Sequence, residues 1–543
     1  MSTTLNSTLR FVTDDYIKKI NKSAPIDATK IESELLALVT ADIEAYNSQL
    51  TKGQKRWPVP VHLSNTQIAM IMSKLYPIKR IVCADTFAAP EEYDLLAIYQ
   101  DSGDEEGIYV ESPRILHNIA LNYNIDLKKQ DLDDIDHKIK DMVPRVLKCK
   151  DPDLFAANNG IVNYKTKKLI PFSPEYVFTS KSHVNYNKKA KNPIIPMADG
   201  TMWDVESWIA DLFDDPRIAN LIWQIMGAMI RPNVPWGKNA WFYSTVGNNG
   251  KGTLCRLMRN LLGESAHCSL SIEDFGHDFA LEPLLHVSAI ITDENNVGAY
   301  IDKVANFKAV CTNDSIRIDR KFKNSITYKF RGFMVQCIND LPRIKDKTDS
   351  FYRRQIIVPF SKSFTGMEKK EIKDDFLGRQ DVLEYVMKRI VDSDYYELDV
   401  PPACEMMLNE FKDANDPIRE FFNDIYEDFV WDSYPTVVLY EMYNDWFKHN
   451  NAEGKIVNRL TFENQLKSLL NNSKMITNWR FVDAPNPIHY QNNSHKQPEP
   501  LIVKFNLTKY MNPTYSGPNI MKKAECDNLP EKARKYIERI KTN

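Results

Sequence analysis

The middle of the chain alternates short apolar runs with helix-period patterns. The apolar runs fall at residues 240–244, 287–292, 333–338 and 355–360. After the first run, Leu254, Leu257 and Leu261 recur on one helical face, and Gly263 is placed to end that helix. Apolar runs alternating with helices predict an α/β fold with a mostly parallel sheet.

The flanking segments have different patterns. Asn159-Gly160 is a tight-turn signal within a predicted small β element at 155–180, and residues 101–107 are typical of a hairpin loop. Residues 203–231 carry the apolar spacing of two helices. In the C-terminal third, helices are predicted at 436–450 and 461–470 and strands at 475–483 and 501–507. Two helices followed by a β-ribbon are typical of a winged helix.

Composition indicates an ordinary globular protein. The 543 residues are 43% hydrophobic and 26% charged, with a formal net charge of −3, so any nucleic-acid surface must be local. The sequence has no apolar run of membrane-spanning length and no apparent signal peptide. None of the eight cysteines lies in a C-x-x-C pair, which argues against a zinc ribbon and fits a reducing cytoplasm.

The stretch STVGNNGKGTL, residues 244–254, is similar to a phosphate-binding loop. The usual spelling is G-x-x-x-x-G-K followed by Ser or Thr, whereas here Thr245 occupies the first glycine position and Gly252 the hydroxyl position. A strand, a glycine-rich turn and a helix beginning with lysine together suit phosphate binding. A structural turn without a ligand is the alternative. The predicted nucleotide-binding residues are Gly247, Asn248, Asn249, Gly250, Lys251, Gly252, Thr253 and Leu254.

Polar residues follow the later apolar runs. Asp293 and Glu294 come after one run, and a carboxylate pair there can hold Mg²⁺ and orient an attacking water. Asn339 follows another run and is a candidate γ-phosphate sensor. Arg353 and Arg354 are candidates for an arginine finger acting on a neighbouring subunit, with a slight preference for Arg354.

Taken in this order, the motifs resemble those of superfamily 3 helicases of the AAA+ class. The similarity is to the helicase module of phage, plasmid and pathogenicity-island replication proteins, which is related to the poxvirus primase-helicase. In that family the lysine is often followed by Ser-Thr or Gly-Thr, so GNNGKGT fits and Thr253 becomes the retained hydroxyl. The resemblance covers about residues 80–510 and is strongest over 240–360.

Residues 307–330 resemble the family's segment between the acids and the sensor. Lys308, Thr312 and Asp314 match its pattern. The strand-like stretches around the polar tip DRKFKN also predict a basic hairpin on composition alone. The candidate DNA-binding residues at this tip are Lys321, Phe322 and Lys323. In the family, this hairpin lines the channel of a hexamer.

The resemblance implies an ATP- and Mg²⁺-dependent hexameric DNA helicase and replication initiator in the cytoplasm of a bacterial host. Its partners would be single-stranded and double-stranded DNA, including a replication origin, and no membrane is expected. Lys251, Asp293, Glu294, Asn339, Arg353 and Arg354 would be catalytic, with Thr253 and Asp293 at the metal. The predicted domains are an N-terminal region at 1–75, an α+β domain at 76–200, a helical collar at 201–235, the AAA+ core at 236–395, a winged helix at 400–510 and a basic tail at 511–543.

Other functions remain open from the residues. One is an origin-binding protein in which ATP controls assembly without unwinding, and another is a small-molecule P-loop kinase. Residues 1–150 offer no convincing acid and histidine set for a primase, so primase activity is not expected. From Lys504 onward nine basic residues face four acidic ones, a local net charge of +5, which favours a DNA-facing or a merely solvated tail.

Overall fold

The protein divides into two compact units, Met1–Glu405 and Met406–Asn543. The structure, a computed structural model, describes residues 4–21, 25–296, 300–301, 303–321, 323–344, 346, 348–450, 456–472, 478–489, 497–526, 529–530 and 532–540. Among these residues, every helix is too short or too polar to cross a membrane.

The first unit combines helices with several small sheets and one larger sheet. Its elements before the larger sheet are α1 Leu5–Lys19, α2 Ala28–Ser48, α3 Asn65–Leu75, β1 Ile78–Ile81, β2 Leu95–Tyr99, β3 Tyr109–Val110, α4 Pro113–Leu121, α5 Lys129–Met142, β4 Arg145–Val146, β5 Leu154–Ala157, β6 Gly160–Asn163, β7 Lys168–Ile170, β8 Ile195–Pro196, β9 Met202–Trp203, α6 Val205–Asp211 and α7 Pro216–Ile230. The elements that follow are β10 Asn239–Tyr243, α8 Lys251–Leu262, β11 His267–Cys268, β12 Ala289–Thr292, β13 Tyr300–Ile301, α9 Ala305–Cys311, β14 Ser315–Arg320, β15 Lys323–Lys329, β16 Phe333–Ile338, β17 Arg343–Ile344, α10 Asp349–Tyr352, β18 Gln355–Pro359, α11 Lys370–Asp374 and α12 Gln380–Asp392, with α13 Pro402–Asn415 containing the boundary between the units.

The central sheet has five strands in the order β11-β12-β16-β10-β18. Every neighbouring pair in it is parallel, which confirms the predicted parallel sheet. Strands β10, β16 and β18 are almost completely buried, as expected of a parallel sheet covered on both faces. All five strands therefore direct their carboxyl ends to one edge, where ligands of open α/β sheets bind.

Helices α7 and α8 supply much of the hydrophobic core of the first unit. Twelve of the fifteen residues of α7 are buried, and α7 begins with Asp215 accepting a hydrogen bond from the Arg217 backbone N–H and with Pro216 at its first position. Helix α8 ends at Gly263, whose φ of +89° favours glycine. The two helices predicted within 203–231 and the helix predicted from the leucine spacing at 254–261 are thus confirmed.

Three predicted hairpins are also present. Strands β5 and β6 are antiparallel and joined next to the Asn159-Gly160 turn, and β14 and β15 are antiparallel, with Arg320 paired to Lys323. Strands β2 and β3 likewise pair around the predicted 101–107 loop.

The second unit packs helices against a three-stranded antiparallel sheet. Its further elements are α14 Pro417–Ile425, β19 Ser433–Pro435, α15 Thr436–Asn450, α16 Arg459–Asn472, β20 Trp479–His489, α17 Pro500–Lys504, α18 Ile520–Lys523 and β21 Lys532–Arg539, with the sheet in the order β19-β21-β20. The two predicted helices are confirmed. The strand predicted at 475–483 coincides with β20 over 479–483, and residues 475–477 lie outside the described residues.

The strand predicted at 501–507 is wrong. That segment begins as helix α17, because the Glu499 carboxylate accepts the Leu501 backbone N–H and Pro500 occupies the first helical position. The third strand is instead β21, within the stretch taken as a basic tail. A short apolar run cannot distinguish strand from helix by periodicity.

Candidate functional site

The loop between β10 and α8 lies at the carboxyl edge of the central sheet. Gly250 precedes the helix with a φ of +86°, and Asn248 has a φ of +53°. Both angles lie in the left-handed region, which lets the loop curl around the start of α8. A Cβ at Gly247 or at Gly252 would meet only open space, so the backbone is accessible at both positions.

Lys251 points back into the sheet edge rather than into solvent. Its Nζ donates hydrogen bonds to Asn339 Oδ1 at 2.7 Å, to the Ile338 carbonyl at 3.1 Å and to the Ser244 carbonyl at 3.3 Å. Lys251 is only 7% exposed, and burial lowers the pKa of its ammonium from the ordinary value. The three oxygen acceptors around this buried cation are all neutral, so an anion placed here would be strongly favoured.

The loop is braced from two sides. Asn249 donates to the Val246 carbonyl and accepts the Lys251 backbone N–H. Asn248 donates to Glu368 at 2.8 Å, and its carbonyl accepts the Phe364 N–H at 2.7 Å. These hydrogen bonds stabilise the observed conformation of the loop.

Asp293 and Glu294 follow β12 directly, next to the strand that carries Asn339. One Asp293 carboxylate oxygen accepts from Arg259 of α8 at 2.8 Å, and the side chain of Asp293 remains 44% exposed. Glu294 is exposed. The next residue, Asn295, bonds the Gln336 side chain and the Cys337 carbonyl, each at 3.0 Å, which anchors the segment to β16.

Two clefts flank the start of α8. One, of about 400 Å³, is lined by Gly252, Asp293, Arg259 and three further charged residues, Arg256, Lys373 and Asp374. The other, of about 600 Å³, includes Asn248, Gly250 and Thr253 together with the aromatic side chains Trp203 and Trp208. The structure thus places Gly252, rather than Thr253, in the cleft that contains Asp293.

The two candidate finger arginines differ in their surroundings. Arg353 is exposed at the end of α10. Arg354 is partly buried, and its guanidinium donates to the Ser350 hydroxyl at 2.9 Å and to the Ser350 carbonyl. The Arg354 carbonyl also accepts the Asn239 backbone N–H at 2.9 Å, which fixes the end of β18 beside β10.

The basic hairpin forms a two-stranded sheet of its own, separate from the central sheet. Lys321 and Lys323 are exposed at its tip, whereas Phe322 lies outside the described residues. Lys323 approaches Glu111 at 4.0 Å. At the base of the hairpin, Lys329 pairs with Asp85 at 2.6 Å. Before the hairpin, Lys308 pairs with Asp346 at 2.5 Å, and the Thr312 hydroxyl donates to Asp314 at 2.5 Å.

Sequence reasoning missed residues that reach the site from other elements. Arg259 belongs to the helical pattern after the loop, and nothing in that pattern connects it with Asp293. Cys255 and Cys337 lie 82 positions apart, yet their sulfur atoms approach to 3.5 Å. Only the pairing of β12 with β16, which sets Thr292 opposite Gln336, reveals that Asp293 adjoins Cys337.

Comparison with known proteins gives three family matches along the chain. Residues 122–214 match the family described as D5 N terminal like, and residues 413–513 match the family described as Poxvirus D5 protein-like. Residues 242–354 match a family of unknown function designated DUF5906. No curated protein matches the sequence significantly.

Among solved structures, similarity is found to the C-terminal region of NrS-1. Its A form apo structure is 14% identical over 70% of this chain and 82% of that chain, with a TM-score of 0.39. A second apo structure of this region is 14% identical over 76% and 90% of the two chains, with a TM-score of 0.41. Two segments of the chain are thus similar to D5 by the family matches. They lie on either side of the segment that contains the loop, Asp293, Asn339 and the arginine pair.

Proposed function

We propose that this protein is an ATP-driven DNA helicase that initiates replication of a phage or another mobile genetic element. The observation that carries the proposal is the buried Lys251 ammonium, held by neutral oxygens at the carboxyl edge of a parallel sheet. Such a charge suits a phosphate group, and Asp293, Glu294 and Asn339 follow strands that end at the same edge. The D5-like matches on both sides support a replication role, given the relation of D5 to the poxvirus primase-helicase.

The site suits ATP and Mg²⁺. The open glycine backbone at 247 and 252 and the Lys251 ammonium would hold phosphates. The aromatic cleft with Trp203 and Trp208 has room for a base. Asp293 would bind Mg²⁺, with Thr253 as a further candidate ligand directly or through water. Bound Mg²⁺ would neutralise negative charge on the transferred phosphoryl group.

The remaining roles belong to the chain's own side chains. Glu294, exposed beside Asp293, would orient and deprotonate the attacking water. The Asn339 side-chain oxygen accepts a hydrogen bond from Lys251, and its amide nitrogen would donate to the γ-phosphate. Because Arg259 holds one oxygen of Asp293, a metal ion would use the other oxygen or displace Arg259. The arrangement is consistent with the AAA+ class predicted from the sequence.

In the proposed hexamer, an arginine from one subunit completes the ATP site of its neighbour. Exposure favours Arg353 for this role, because Arg354 is tied to Ser350 within its own subunit. We expect Arg353→Ala to lower ATP turnover by roughly 10³-fold or more. The measurement is steady-state ATP hydrolysis at saturating ATP.

Mixing subunits tests whether the arginine acts in trans. Arg353→Ala and Lys251→Ala proteins should each be inactive, but an equal mixture should regain turnover, because an intact Lys251 then meets an intact Arg353 across an interface. Mixed subunits that stay inactive after co-assembly would contradict the role. Arg354→Ala is the matched control and should mainly lower the melting temperature.

The second unit would bind DNA as a winged helix. Helices α14 to α16 with the β19-β21-β20 sheet form a helical layer and an antiparallel ribbon. Its charges are partly compensated within the unit, because Lys504, Lys509, Lys535 and Arg539 pair with Asp428, Glu441, Glu463 and Asp432. Because these charges are compensated within the unit, we assign DNA translocation mainly to the hairpin with Lys321 and Lys323.

The hairpin predicts a separation of ATP hydrolysis from unwinding. In the Lys321→Ala protein, basal ATP turnover should be unchanged, while unwinding of a forked duplex should slow by at least about tenfold because a phosphate contact is lost. Both rates are measured on the same preparation. Lys168→Ala removes another exposed lysine, from β7, and should change neither rate. Normal unwinding by Lys321→Ala would exclude the hairpin from the motor and favour an origin-binding protein that does not unwind DNA.

A further inference from the structure

Two buried thiols lie in contact behind the phosphate-binding loop. Cys255 sits one helical turn after Lys251 on α8, and Cys337 is the next-to-last residue of β16. Their Sγ atoms are 3.5 Å apart, and the two residues are 0% and 2% exposed. Helix packing and strand register thus bring together two soft ligands that the sequence keeps far apart.

A carboxylate completes the cluster. An Asp293 oxygen and the two sulfurs all lie within 4.8 Å of one another. Asp293 is also the partly exposed member, so a metal ion has an approach from the 400 Å³ cleft that Asp293 lines. Arg259, which binds Asp293, lies beside the cluster.

The spacing fits a tetrahedral metal ion bound by sulfur. With Zn–S bonds of about 2.3 Å, tetrahedral geometry places two sulfurs about 3.8 Å apart. The observed 3.5 Å needs only a small adjustment. The Asp293 oxygen lies within 4.8 Å of each sulfur, and this partly exposed side chain can reach bonding distance by leaving Arg259. Thiolate ligands select zinc-like ions over Mg²⁺, which prefers oxygen.

We propose that Cys255, Cys337 and Asp293 form a binding site for a soft divalent metal ion of the Zn²⁺ type, with water as the fourth ligand. Binding releases two thiol protons and replaces water molecules of the hydrated ion with two metal–sulfur bonds and one bond to the Asp293 carboxylate, while one water stays bound and no oxidation state changes. The ion would separate Asp293 from Arg259.

A regulatory consequence rests on the proposed function. Asp293 held by zinc is withdrawn from Mg²⁺, and the same ion would fix the end of β16 next to Asn339. Zinc at one equivalent should therefore inhibit ATP turnover. The bound metal ion would thus be an inhibitor of the proposed ATPase.

The test uses the full chain without nucleotide, kept reduced by a phosphine. Co²⁺ is titrated as the spectroscopic substitute for Zn²⁺, and the sulfur-to-cobalt charge-transfer band is recorded. One equivalent should produce the band, and Zn²⁺ should abolish it by displacement. Cys255→Ser and Cys337→Ser should each weaken the band and the affinity, whereas Cys268→Ser, at a partly buried thiol outside the cluster, should retain both.

Asp293→Asn should keep sulfur coordination but lose affinity by at least about tenfold. X-ray absorption of zinc-loaded wild-type protein supplies a measurement independent of any variant and should show two sulfurs at about 2.3 Å. No charge-transfer band, a band unchanged in both cysteine variants, or a sulfur count other than two would overturn the site. Zinc inhibition is then assayed separately. A protein with no ATP turnover would contradict the proposed function, whereas the cobalt spectrum would still decide the metal site.

Discussion

Replacing Lys251 with alanine is expected to abolish ATP turnover while leaving the protein folded. The Lys251 ammonium lies at the N-terminus of α8 beside Asn339, and its removal should slow hydrolysis by roughly 10²- to 10³-fold or more. Because burial already lowers the pKa of Lys251, the folded protein gains little from this charge when no anion is bound. The measurement is ATP hydrolysis together with the melting temperature.

The matched control for this prediction is Lys388→Ala. Lys388 lies on α12 and pairs with Asp392 one turn away, distant in sequence from the loop. That variant should hydrolyse ATP at the wild-type rate. Normal turnover by Lys251→Ala would show that the loop takes no part in ATP hydrolysis. If turnover is lost together with a large drop in melting temperature, the variant has unfolded, and the Glu294→Gln variant then tests the site.

Glu294→Gln is expected to retain ATP binding and lose hydrolysis. The glutamine keeps the shape of the side chain and removes its basicity, so only the activation of water should suffer, by roughly 10²- to 10⁴-fold. Glu294 is exposed, and so the substitution should leave the stability of the fold almost unchanged. Nucleotide binding is measured by equilibrium titration and hydrolysis under single-turnover conditions.

An exposed glutamate outside the site serves as the control here. Glu397 is exposed between α12 and α13, and the Glu397→Gln protein should bind and hydrolyse ATP as the wild type does. Hydrolysis by Glu294→Gln at the normal rate would show that another group activates the water. Loss of binding as well would indicate that Glu294 holds the nucleotide or its metal ion.

The central sheet was predictable because its strands are nearly continuous apolar runs. Strand β16 coincides with the predicted run, and β10, β12 and β18 differ from theirs by one or two residues at their ends. The helix after the loop was predictable from its leucine spacing and from Gly263. These elements depend on residues that are close together in the chain, so the sequence alone is enough to predict them.

Contacts between distant segments could not be predicted in this way. The Arg259–Asp293 pair and the Cys255–Cys337 contact depend on how α8 lies against β12 and β16. The short helix at Pro500–Lys504 was taken for a strand, since only the tertiary position of Glu499 decides between the two. Likewise, the positive charge near the C-terminus suggested an open basic tail, but Lys535 and Arg539 belong to a strand and pair with acidic residues.

The most direct test of the central claim is single-turnover unwinding of a forked DNA duplex with ATP and Mg²⁺, with wild type and Lys251→Ala compared side by side. A motor of the proposed kind predicts ATP-dependent strand release by wild type and none by the variant. Absence of strand release from wild type, with no ATP turnover in the presence of DNA, would contradict the account.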